Sequence, residues 1–124
     1  MTTSSRATVL IVEDHKVVAD GLRRMLSDQY EVLQIVTDGS LVVDAVSKLR
    51  PDLMLLDLSL PNLSGVEVLR QLRDRSVSFR AIVLTMHAEP TLAVEVLRAG
   101  AAGFVLKESS VEELVNAIEI VLAG

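Results

Sequence analysis

The sequence predicts an α/β domain of the doubly wound kind, a parallel sheet with helices on both faces. Three observations lead there. Short β-branched or apolar runs alternate with longer stretches of helical period about five times, and no linker interrupts them. Parallel strands joined by helices close into one sheet because such crossovers are almost always right-handed. The run Leu53 to Leu56 is continuously apolar, as befits a strand buried on both faces. The 124 residues, half of them hydrophobic and 23% charged, make one domain spanning residues 1–124, with a core large enough to fold alone.

Thr8 to Val12 is β-branched and reads as the first strand. Val18, Leu22, Met25 and Leu26 follow at helical spacing, one face of a helix from about His15 to Ser27. Glu31 to Thr37 is the second strand and Ser40 to Leu49 its helix, with Leu41, Val42, Ala45, Val46 and Leu49 on one face; Arg50 and Pro51 stop it. The third strand ends at Asp57. Ser64 and Glu67 then stand at capping-box spacing before a helix carrying Val66, Leu69 and Leu72. Ala81 to Thr85 is the fourth strand; Pro90 opens the next helix and Gly100 closes it. Gly103 to Leu106 is the fifth strand, and Ser110 with Glu113 repeats the capping-box spacing before Leu114, Val115, Ile118, Val121 and Leu122.

Composition excludes several classes of function. There is no cysteine, hence no disulfide framework, thiolate metal site or cysteine nucleophile. A net charge of −5 argues against the chain gripping nucleic acid by itself, because phosphate binding is driven by clustered Lys and Arg. Aromatic residues, at 2%, are too few for a base-stacking platform. No apolar run approaches the roughly 20 residues that span a bilayer, and no signal peptide is recognisable, so a soluble cytoplasmic protein without membrane partners is expected. Residues 1–6 are small and polar and are expected to be flexible.

Ligands of an open parallel sheet sit beyond the carboxyl ends of its strands. There the sequence places Glu13 and Asp14 after the first strand, Asp57 after the third, Thr85 after the fourth and Lys107 after the fifth. Three carboxylates and one ammonium carry about −2, which calls for a cation; oxygen donors of this kind suit Mg²⁺. With that ion the charges balance, and one carboxylate can face a phosphoryl donor, while the metal, Lys107 and the Thr85 hydroxyl steady the equatorial oxygens. Asp57 is the best nucleophile because it follows the central strand. Asp52, about 16 Å away at roughly 3.3 Å per residue, lies at the wrong end. The reading requires the strand tips to converge and Asp57 to be reachable from solvent and metal. His15 and His87 lack a partner at metal-ligand spacing and read as ordinary loop residues, and Met25 and Met86 as packing. Pro61 and Gly65 serve backbone geometry.

These residues resemble the receiver domain of bacterial two-component response regulators, over essentially the whole chain from about Ala7 to Gly124. The acidic pair Glu13-Asp14, the stretch Asp57 to Gly65, Thr85 and Lys107 fall in order at that family's spacings. The resemblance implies a flavodoxin-like five-stranded parallel sheet of order 2-1-3-4-5 with five helices. It implies that Asp57 accepts a phosphoryl group from a sensor histidine kinase, that Asp14, Asp57 and the Ser59 carbonyl bind Mg²⁺ with Glu13 acting mainly through water, and that Lys107 pairs with the phosphoryl group. Thr85 and Phe104 would be the switch pair. The segments Leu84 to His87 and Gly103 to Ser109 look most like the LuxR-type subgroup, whose receivers precede a helix-turn-helix output domain. No such domain is present in this chain, so DNA contact would come only through a further domain; homodimerisation is the other expected output, in transcription regulation.

Three positions depart from the family pattern. Glu108 follows Lys107 where many receivers have proline, so a trans bond is expected there. Met86 stands where many place a small residue, which would restrict water and small phosphodonors. Phe104 replaces the tyrosine of some relatives. Such a protein would be a switch rather than an enzyme, catalysing only its own phosphorylation and dephosphorylation. Two rivals remain: a phosphate-independent interaction module, and an aspartyl-phosphate phosphatase, which wants a second acid where Ser59 stands. No Gly-rich dinucleotide fingerprint follows the first strand.

Overall fold

The computed structural model describes residues 6–86 and 89–124. Its strands are β1 (Thr8–Val12), β2 (Glu31–Val36), β3 (Leu53–Asp57), β4 (Ala81–Thr85) and β5 (Gly103–Leu106). Every pairing is parallel and the order is β2-β1-β3-β4-β5, so the doubly wound, flavodoxin-like topology is the one observed. The helices are α1 (Lys16–Leu26), α2 (Val42–Leu49), α3 (Gly65–Asp74), α4 (Pro90–Arg98) and α5 (Val111–Ala123).

Side chains alternate across each strand, and the alternation divides the core in two. Leu10, Val12, Met54, Leu56 and Val83 pack against α2, α3 and α4; Val9, Ile11, Leu53, Leu55, Ile82 and Leu84 pack against α1 and α5. All five residues of β3 are buried, as the unbroken apolar run requires of a central strand. Burying each such Leu is worth roughly 1.5–3 kcal/mol, so β3 is the most firmly held platform available to a functional group at its tip.

Local chemistry sets the helix ends. Ser64 accepts from the Glu67 N–H at 3.4 Å and Ser110 from the Glu113 N–H at 3.2 Å. The Glu67 side chain pairs with Arg70 at 2.7 Å. Helix α4 closes as a Schellman motif: Gly100 stands at φ 111, its N–H donates to Leu97 O, and the Ala101 N–H reaches Val96 O.

Four expectations need correction. The buried residues of α1 are Ala19, Leu22 and Leu26, while Val18 is exposed: the helix is turned so that the small Ala19 faces the sheet. The segment expected to be one helix from Ser40 begins as a 3-10 turn, Gly39–Leu41, capped by Asp38. Its core residues are Val42, Val43 and Val46, whereas Leu41 and Leu49 at the helix ends are exposed. In α3, Val68, absent from the expected face, is fully buried with Leu69 and Leu72, while Val66 packs against the same core partly buried. The expectation for residues 1–6 lies outside the described residues except at Arg6, whose guanidinium donates to Ser27 O at 2.7 Å. No helix among the described residues is long and apolar enough to cross a membrane.

Candidate functional site

The strand register builds the site. Val12 pairs with Leu56, so Glu13 and Asp57 emerge side by side from β1 and β3. Asp57 pairs with Leu84 and Thr85 with Leu106, which places Thr85 and then Lys107 one step further along the same rim. Backbone bonds extend the ladder to those tips: the Glu13 N–H donates to Val36 O at 3.0 Å and the Lys107 N–H to Thr85 O at 2.7 Å. Asp52 sits at the opposite end, where it accepts from the Thr8 N–H at 2.8 Å and from the Thr8 hydroxyl at 3.1 Å. It fastens β3 to β1 and has no part in the site.

Lys107 Nζ lies 2.8 Å from Glu13 Oε1 and 3.0 Å from Asp57 Oδ2, bridging the two carboxylates. Both oxygens are buried, and the Lys107 ammonium is the cation against each of them. The other Asp57 oxygen accepts from the Ser59 N–H at 3.1 Å. Asp14 is partly exposed at the rim.

His15 is where the structure departs from the sequence reading. Rather than idling in a loop, it turns Nδ1 to 3.1 Å from Glu13 Oε2 and 3.4 Å from Asp14 Oδ1, and its backbone N–H donates to Glu13 Oε2 at 3.1 Å. Its place immediately after the acidic pair was the available signal. His87 lies outside the described residues.

Electrostatics within the cluster are uneven. Burial pushes the Asp57 carboxyl above the ordinary carboxylate value, and Glu13 adds to the rise; the Ser59 N–H and Lys107 only partly offset it. Burial acts on Glu13 too, but the Lys107 and His15 contacts together outweigh it and hold Glu13 low. Burial alone would lower Lys107; two carboxylates against its ammonium raise it instead. Burial thus works against the charged form of Asp57 more than its neighbours favour it.

Glu13, Asp14, His15 and Asp57 each offer a ligand atom within 4.8 Å of the others, a group able to hold a metal ion. Oxygen donors dominate, and the three carboxylates outnumber the single Lys107 ammonium set against them, so the residues fit a hard divalent cation.

The neighbouring backbone is tightly constrained. A Cβ on Gly65 would lie 2.9 Å from Asp57 O and from Leu58 Cα, so glycine permits α3 to start directly against the Asp57 strand end. Gly39, which the sequence reading overlooked, is closer still: a Cβ there would meet Leu63 O at 1.9 Å. Its N–H donates to Pro61 O, and Asn62 Nδ2 donates to Asp38 Oδ2 at 2.6 Å, tying the turn after β2 to the loop that follows Asp57. The bond between Lys107 and Glu108 is trans. Thr85 is buried, Phe104 is half-buried against the α2–α4 side of the core, and Met86 is 60% exposed. Asp57 is itself only 1% exposed, less open than the sequence reading required, so anything reaching it must displace rim side chains.

Comparison with known proteins bears on the same residues. Residues 9–119 match the response regulator receiver domain family. The chain is 37% identical over 119 residues to the response regulator UvrY of Escherichia coli, covering 94% of this chain and 54% of that protein. It is 32% identical over 122 residues to the transcriptional regulatory protein DegU of Brevibacillus brevis, covering 97% and 52%. It thus spans about half the length of these curated relatives. Among solved structures, a LuxR-family two-component response regulator from Aurantimonas sp. SI85-9A1 superposes with a TM-score of 0.91 at 35% identity, covering 97% of this chain and 87% of that one. The signal receiver domain of NarL from Mycobacterium tuberculosis gives 0.91 at 29% identity, covering 98% and 99%. The converging strand tips and these matches, which run through nearly the whole chain, lead to one conclusion: the chain belongs to the response regulator receiver domain family.

Proposed function

We propose that the domain is a phosphorylation-dependent switch in which Asp57 accepts a phosphoryl group from a sensor histidine kinase. The observation that carries this reading is the Lys107 bridge, an ammonium 2.8 Å from Glu13 and 3.0 Å from Asp57, on a rim whose carboxylates exceed it in number. In the transfer, an Asp57 carboxylate oxygen forms the new O–P bond as the P–N bond to the donor histidine breaks, and the donor nitrogen keeps the electron pair. Lys107 then pairs with the phosphoryl oxygens, and the Thr85 hydroxyl is drawn towards them. Asp14, Asp57 and the Ser59 carbonyl would hold Mg²⁺, and Glu13 would act mainly through water. When bound, that ion supplies positive charge to the transferring phosphoryl oxygens.

Phosphorylation adds charge and acceptor oxygens at the tip of β3. Movement of Thr85 makes room for Phe104, which is half-buried on the neighbouring strand, and changes the surface formed by β4, α4, β5 and α5. The change is a population shift between two arrangements. It acts on self-association or on an output domain in transcription regulation; DNA is reached only through that further domain, and the receiver turns over no external substrate. The test is intact-mass measurement after incubation with acetyl phosphate and Mg²⁺. The native chain gains one phosphoryl group, and Asp57→Asn gains none. A native chain that stays unmodified with both acetyl phosphate and a competent kinase overturns the reading.

A further inference from the structure

The loop that leaves β3 carries the Ser59 backbone, and its shape is held from outside the acidic cluster. Asn62 stands at φ 68, in the left-handed region, and the Leu63 N–H donates across it to Pro61 O at 2.8 Å, so the chain makes a γ-turn centred on Asn62. With φ positive such a turn is rare and strained for any residue but glycine, and it persists only where its surroundings hold it. The hold comes from the turn after β2. Asp38 Oδ2 accepts from Asn62 Nδ2 at 2.6 Å, while Asp38 Oδ1 accepts from the Ser40 N–H at 2.8 Å and the Ser40 hydroxyl at 2.7 Å. Beside this clasp the Gly39 N–H donates to Pro61 O at 3.2 Å. The Ser40 hydroxyl and N–H, and then Asn62, keep the Asp38 carboxyl below its ordinary value, so the clasp is a charge-assisted bond.

Asn62 is exposed, so the clasp buries no apolar surface, and its consequence lies in the loop it shapes. Three residues before Asn62, the Ser59 N–H donates to Asp57 Oδ1 at 3.1 Å, and the loop closes where the Gly65 N–H returns to Leu58 O at 3.1 Å. We propose that Asp38 and Asn62 are positioning residues for phosphoryl acceptance: their bond fixes the γ-turn and, through it, the Ser59 backbone that orients Asp57 and offers a carbonyl to the cation. The proposal rests on the reading of Asp57 and the cluster given under Proposed function. It deepens that reading by adding two residues that touch neither the phosphoryl group nor the ion, in the way that outer partners commonly tune the groups binding a metal.

The test compares the native chain with Asn62→Gly, Asp38→Ala, Asp38→Asn and, as a control at the opposite rim, Thr8→Ala, which loses the contact with Asp52. Glycine accepts a positive φ without strain but has no amide, so Asn62→Gly separates the clasp from the strain, and it leaves the Ser40 bonds of Asp38 in place. Three quantities are read: hydrogen exchange at the Ser59 amide in chelator, Mg²⁺ affinity by calorimetry, and the Mg²⁺ concentration that gives half-maximal phosphorylation by acetyl phosphate. Asn62→Gly and Asp38→Ala are expected to exchange the Ser59 amide several times faster, to bind Mg²⁺ about tenfold more weakly, and to need correspondingly more of it. Asp38→Asn rescues all three to within about threefold, because its amide can still bond the Asn62 amide. Thr8→Ala keeps the native values whatever it does to the urea midpoint. Native values in Asn62→Gly would mean that the clasp only offsets strain, a matching loss in Thr8→Ala that the readouts merely follow stability, and an unrescued Asp38→Asn that charge acts without the bond; each result overturns the proposal. A native chain that takes up neither Mg²⁺ nor a phosphoryl group overturns the reading under Proposed function instead, and the Ser59 exchange ratios then decide the clasp by themselves.

Discussion

Asp57→Asn should stabilise the metal-free domain even though it breaks an ion pair. At an effective dielectric constant near 20, the contact with Lys107 at 3.0 Å is worth about 5.5 kcal/mol of attraction. Against it stands repulsion from Glu13, within 4.8 Å, of at least about 3.5 kcal/mol, with a smaller share from the more exposed Asp14. The charge terms nearly cancel, so the sign is decided by burial, which penalises a carboxylate that is 1% exposed and far less its neutral amide. The amide oxygen still accepts from Ser59, and Lys107 keeps Glu13. The expected gain is about 1–2 kcal/mol in urea unfolding with a chelator present, or about 4 °C or more in melting temperature. Adding Mg²⁺ should narrow or reverse the difference, since the native chain gains binding free energy that the variant, short of one ligand, does not. A variant less stable than the native chain by more than about 1 kcal/mol in chelator would refute the reasoning, because the cluster would then be held together by its charges rather than strained by them.

Three further outcomes follow from the same geometry. Gly39→Ala should cost at least about 2 kcal/mol in denaturant unfolding, because the added Cβ meets Leu63 O at 1.9 Å; a loss below about 0.5 kcal/mol would show that the two loops part freely. Met86→Ala should speed phosphorylation by acetyl phosphate, if the exposed Met86 limits approach to the shielded Asp57; an unchanged rate removes the steric argument. In chelator, stability should fall towards both ends of the pH range. Lys107, raised above 10.5 in the fold, contributes fully below 10.5, and the contribution is lost as pH climbs through its folded value. Glu13, lowered beneath 4.5, contributes above 4.5 and fails as pH drops through its folded value. Asp57, raised above 3.8, opposes Glu13, since the fold grips its proton more tightly and loses stability as pH rises through that interval. Burial also raises the Tyr30 hydroxyl, which adds to the alkaline limb, so Lys107→Met should shrink that limb in an unfolding titration without removing it; an undiminished limb assigns it to other groups.

Much of this architecture is legible in the residues because parallel sheets print unbroken apolar runs. The bounds of β1, β4 and β5 coincide with those runs, and β3 adds only Asp57. The polar residue after each run lies on the rim because register follows from strand order, so the convergence of Glu13, Asp14, Asp57 and Lys107 could be anticipated. Helical faces are less legible. Periodicity says which residues share a stripe, but how the stripe meets the sheet depends on side-chain size, and so Ala19 displaces Val18 in α1. Leu41 and Leu49 match the period, yet they stand at helix ends and remain exposed. Gly39 was missed for a different reason, because its clash with Leu63 is set by chain segments that meet only in three dimensions; His15 touches its own neighbours Glu13 and Asp14, and spacing alone does not say which way its ring turns.

Strand β5 borders one neighbour, β4, whereas β1, β3 and β4 are each flanked on two sides. Phe104 leans into one half of the interior and the adjacent Val105 into the other. Tension applied at the Lys107 tip is therefore resisted by a single ladder. A slight roll of this margin lifts one side chain out of its bed while pressing the next into the opposite one, so the two faces of the molecule respond in opposite senses, like the arms of a see-saw.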